Sequence, residues 1–154
     1  MQDDPLAPGL SGQRRMHAYS FKPRFIPLII AGTKTQLVRS GRTRNAQPGE
    51  TLRLYTSMHA RNSQLIGLAV CLSSEPVRID LEHSRVEFPA AGTAITVRAE
   101  LDAFAEKEGF PGFNHTDGMV PYWRAKQPLT PIISGFVVRW HNFVATEGAP
   151  DPAA

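Results

Sequence analysis

Residues 20–39 read SFKPRFIPLIIAGTKTQLVR, and residues 48–58 read PGETLRLYTSM. Pro23 suits an early helical position, because its fixed φ and missing N–H cost nothing there. Pro27 still falls in a first turn, and Phe25, Ile26, Ile29 and Ile30 supply a broad apolar face. Gly32 then stops the helix, so a helix is expected over 23–31. A short strand follows over 35–39. The polar, turn-rich loop SGRTRNAQPGE comes next. The alternation of 51–57 predicts a strand with Leu52 and Leu54 on one face and Arg53 and Tyr55 on the other.

Outward from this core, 64–72 is apolar on both faces, as in a buried strand. Pro76 is expected to break it, with shorter strands at 77–81 and 85–88. Leu101, Phe104 and Ala105 mark a helix ending at Gly109. Met119, Val120 and Trp123 mark another, with Thr116 as its N-cap. A last strand covers 132–143, with Phe136, Val138 and Trp140 opposite Arg139 and His141. The class is α+β: a curved, mostly antiparallel sheet with two or three helices. The 154 residues, 42% hydrophobic, suit one domain. It is expected over 14–145, with Pro- and Gly-rich residues 1–13 and residues 146–154 as disordered tails.

The net charge of +3 hides an asymmetry. Residues 14–61 carry Arg14, Arg15, Lys22, Arg24, Lys34, Arg39, Arg42, Arg44, Arg53 and Arg61 against the single acid Glu50. The remainder is net acidic. A positive half attracts polyanions, nucleic acid above all, although a merely solvated face has the same composition. The apolar runs are far too short to span a membrane. The opening MQDDPLAPGLSGQ lacks the apolar region of a secretory signal. The single cysteine, Cys71, fits a reducing compartment and a cytoplasmic location.

Catalytic motifs are sparse. His17, His59, His83, His115 and His141 show no paired ligand spacing, so no metal or other cofactor is expected. Gly32-Thr33-Lys34-Thr35 lacks the glycines and the preceding strand of a P-loop. No G-x-S-x-G elbow occurs. Cys71 lies within an apolar strand and reads as an inert core thiol.

A helix ending I-x-x-G-x-K-T, a strand ending in Arg39, and then P-G-E-x-L-x-L-Y resembles the ASCH domain family of the PUA-like superfamily. The likeness extends to LDAFAEKEGF and GFVVRWHNF, and so covers about residues 19–143. The resemblance implies a PUA-like β-barrel that binds RNA, single-stranded nucleic acid or a modified nucleoside. Lys34 and Arg39 would stand at the barrel mouth, with Arg42, Arg44 and Tyr55 as further contacts. Two fixed cations at one cavity suit a phosphate, a carboxylate or a base carbonyl, whereas a surface lysine and an ion-paired arginine would be the plain alternative. Tyr55, Phe110 and Phe113 are candidates for base stacking, while Phe104 and Trp123 read as core.

The family also includes nucleases, and amidohydrolases that remove acyl groups from acetylated cytidine nucleosides. The latter use a lysine in the G-x-K-T segment, a threonine three residues later and a glutamate in the next helix. Lys34 and Glu108 match the first and last of these. The threonine position is Leu37, which carries no hydroxyl and is no nucleophile. Binding therefore ranks above amide hydrolysis or ribonuclease action through Lys34 and Glu108.

Overall fold

The computed structural model describes residues 16–41, 44–56 and 63–146. The terminal segments 1–13 and 147–154 lie outside them, as do Arg42 and Thr43. Among the described residues the fold is α+β: a mixed seven-stranded sheet with three helical segments. The strands are β1 (Met16–Ser20), β2 (Gln36–Ser40), β3 (Thr51–Tyr55), β4 (Leu65–Asp80), β5 (Arg85–Phe88), β6 (Thr93–Ile95) and β7 (Ile132–Ala145). A 3-10 turn at Pro23–Phe25 leads into α1 (Ile26–Ala31), and α2 (Arg98–Glu108) and α3 (Met119–Lys126) follow later. Ladder pairing runs β1-β3-β4-β5-β6, and β7 pairs with both β2 and β4. The chain forms two compact units, and β4 and β7 each run through both.

The first unit comprises Met1–Gly32, Arg44–Ser74 and Val138–Ala154. Its β1 is parallel to β3, and β3 is antiparallel to β4. Alternation sends Leu52, Leu54, Ala69 and Cys71 inward, Ile66 is buried beyond the register shift at Leu54/Tyr55, and Tyr19 and Ile29 are buried in the same unit. Phe21 packs edge-on to Trp140, with ring centroids 5.9 Å apart. The Tyr19 hydroxyl accepts the Ala46 N–H at 3.1 Å, tying the chain after the arginine-rich loop to β1. Gly32 closes α1 at φ 83°, a left-handed conformation that a Cβ disfavours.

The second unit comprises Thr33–Thr43 and Glu75–Val137. Here β5 is antiparallel to the end of β4 and to β6. The turn between β4 and β5 is held by Asp80, whose carboxylate accepts N–H bonds from Glu82 and His83. The His83 N–H is the main cause of that carboxyl's lowered pKa. Helix α2 buries Leu101, Phe104 and Ala105, with Phe104 edge-on to Phe88. It ends at Gly109, with φ 101°. At Gly135 of β7 an added Cβ would strike the Arg39 carbonyl, so the backbones of β2 and β7 approach closely there.

Several local expectations need correction. Pro76 does not break β4. It lies between the residues that pair with β3, up to Val70, and those that pair with β5, from Arg78. Thr116 does not cap α3; Gly118 holds the N-cap position, with no side-chain cap bond. Phe110 and Phe113 are buried at 4% and 1% exposure, so neither ring offers a face to a base.

Candidate functional site

In the second unit, Gln36 and Val38 of β2 are buried while Leu37 and Arg39 between and beyond them are half-buried. Lys34, just before the strand, is buried at 2% exposure. A lysine is seldom placed so deep without compensation. The compensation comes from the C-terminal end of α2, whose last carbonyls have no intrahelical partners and carry the negative end of the helix dipole. The Lys107 carbonyl accepts the Thr35 N–H at 2.9 Å. The Glu108 carbonyl accepts a hydrogen bond from Lys34 Nζ, which also donates to the Gln36 carbonyl at 2.8 Å.

The Glu108 side chain is buried at 3% exposure beside the same strand. Its Oε1 accepts from Gln36 Nε2 at 3.2 Å, and its Oε2 from the Val38 N–H at 2.7 Å. An ammonium and a carboxylate 74 residues apart in the chain thus enter one buried cluster. Chemically it combines a cation, an anion and an amide in a low-dielectric setting, where electrostatic interactions are stronger than in water. Gln36, buried at 1%, is the member that sequence reading passed over. Its signal was the two-residue spacing from Lys34 to Gln36 to Val38.

The other candidate residues are placed differently. Arg39 is half-buried on β2 in the second unit. Arg44 is exposed and Tyr55 half-buried, both in the first unit. Arg42 lies outside the described residues. Leu37 is half-buried, and strand alternation turns it to the opposite face of β2 from Gln36 and Val38. Lys34 is not an outward-pointing cation.

The described residues of the first unit carry Lys22, Arg24, Arg44, Arg53 and Arg139 against one acid, Glu50. Glu50 is buried at 8% and engaged, with His17 Nε2 at 2.9 Å and the Gln47 N–H at 2.7 Å from its Oε1. Among the described residues, then, this unit exposes cations and no carboxylate. The described residues contain no group of three or more His, Cys, Asp or Glu placed to hold a metal ion. None of their helices is long and apolar enough to cross a membrane.

No family model matches the sequence, and neither does any curated protein. Among solved structures, the chain is similar to the ASCH protein of Zymomonas mobilis. That match has 15% identity and a TM-score of 0.50, and covers 86% of this chain and 71% of the other. A mutant of the same Zymomonas mobilis protein matches equally well, with 74% of its chain covered. In fold, this chain is an ASCH-like domain.

Proposed function

We propose that this ASCH-like domain binds RNA or a nucleotide through the basic surface of its first unit. The carrying observation is the exposed positive charge: Lys22, Arg24, Arg44 and Arg53 are exposed, while Glu50 is buried and occupied. Phosphate binding depends on such an excess, since each neutralised phosphate releases counterions. Lys34 has a different part. Its ammonium lies on two backbone carbonyls, so gripping a phosphate would mean giving those bonds up.

A second reading is favoured by one observation, the burial of Lys34 and Glu108 in one cluster. In it the domain is an amidohydrolase of an acylated nucleoside, or a ribonuclease, with Glu108 moving a proton and Lys34 stabilising developing negative charge. Leu37 counts against the amidohydrolase, because the position offers no hydroxyl nucleophile.

One screen separates the readings: short RNA, single-stranded DNA and acetylated cytidine are titrated with hydrolysis followed in parallel. Saturable binding of the oligonucleotides without product release is expected. Turnover by a chain that binds no oligonucleotide would overturn the binding proposal.

A further inference from the structure

We infer that single-stranded nucleic acid lies across the outer face of the sheet formed by β1, β3 and β4 in the first unit. The inference rests on the nucleic-acid reading above and gives that reading a surface. Directly paired residues share a face of a sheet. The registers therefore place Met16, Thr51 and Val70 in one row and Ala18, Arg53 and Leu68 in the next, with Ser20 and Tyr55 beyond. The inner face is the closed core, with Leu52 and Leu54 fully buried. On the outer face Met16 is 38% exposed and Leu68 36%, and Leu72, two residues past Val70, is 53% exposed.

Apolar side chains left open beside one another on a strand face mark a binding surface more often than chance solvation does. The charge at the centre selects the occupant. Arg53 is exposed between Ala18 and Leu68, and its guanidinium has no ion-pair partner among the described residues. Among the described residues the unit exposes no acid, so the face sets apolar and aromatic surface beside exposed positive charge. Single strands need that combination, with bases on the Tyr55 ring and the aliphatic groups and phosphates on arginine. A second copy packed on this face would bring its own Arg53 and the same positive excess against the first. A duplex, with its bases stacked inside, makes no use of the apolar rows.

The test compares fluorescein-labelled single-stranded RNA, single-stranded DNA and a duplex of equal length on the native chain, Arg53→Ala, Leu68→Asp and, in the second unit, Arg85→Ala. Arg53 and Leu68 are on the surface, and unchanged thermal unfolding confirms that their variants fold. Expected are preference for single strands over duplex and losses of about 10-fold for Arg53→Ala and Leu68→Asp, in line with the size of base-stacking contributions. Arg85→Ala should leave affinity unchanged. A native chain that binds no oligonucleotide overturns the parent reading and this one with it. Native binding that survives both face variants overturns the placement alone, as do duplex preference and self-association or vesicle binding that depends on Leu68 in place of single-strand binding.

Discussion

Lys34 donates to the backbone carbonyl of Glu108, 74 residues further along the chain, and so fastens the start of β2 to the end of α2. The Glu108 carboxylate completes the joint by accepting from Gln36 and Val38 of the same strand. A cluster this dry is stable only while its donors and acceptors are matched.

Removing one partner should therefore be costly. Lys34→Ala leaves the Glu108 carboxylate buried without the ammonium, and should destabilise the domain by about 3–5 kcal/mol. Gln36→Leu removes one neutral donor to a charged group and should cost about 1.5–3 kcal/mol. Urea unfolding of each single variant and of the pair provides the check. Strict additivity would show that the two side chains do not belong to one network.

Gly32→Ala should cost about 1 kcal/mol. Open space surrounds the position at which a Cβ would stand, so the penalty comes from the φ of 83° and not from a clash. Thermal unfolding should show a modest fall in Tm. An unchanged Tm would mean that the backbone readily leaves the left-handed region.

Burial pushes the Cys71 thiol up to about 11 from an ordinary 9.0, and the Glu50 charge adds to the effect. At pH 8 the thiolate fraction is then about 100-fold below that of a free thiol, and alkylation should slow by a similar factor. The unfolded thiol ionises first. Its contribution to stability is therefore complete below about pH 9 and lost as pH rises toward about 11. Rapid alkylation of the folded chain at pH 8 would contradict this.

The helix stops at Gly32 and Gly109 were legible because each follows an apolar helical face directly. The inward face of β3 was legible from alternation; in β7 only Val138 and Trp140 follow it, because Ile133 and Val137 of the other parity are buried too and Phe136 is half-buried. Strand β1 was not, since its residues MHAYS carry little apolar pattern and owe their extended state to parallel pairing with β3. Lys34, just past the helix stop at Gly32, was expected at the barrel mouth beside Arg39, yet it is buried. What places it inside is the carbonyl at the end of α2, a partner that only the folded chain supplies. Lys34 and Glu108 were named from a motif, whereas Gln36, which bonds to Glu108, was not.

Acetylated cytidine should not be hydrolysed at a useful rate by the native chain. Without a hydroxyl at Leu37, water would have to attack unaided by a covalent intermediate, at a cost on the order of 4 kcal/mol in barrier. Product release assayed with the native chain, Lys34→Ala and Leu37→Thr gives the answer. Efficient native turnover that Lys34→Ala abolishes, with that variant still folded, would favour the hydrolase reading.

The salt dependence of single-stranded RNA binding tests the central claim most directly. About three phosphate contacts from the first unit's arginines and lysine predict that log Kobs falls against log salt with a slope of about −2. Affinity should therefore drop by more than 10-fold between about 50 and 200 mM salt. Affinity that holds constant across that range, or no binding at the lower salt, would contradict the account.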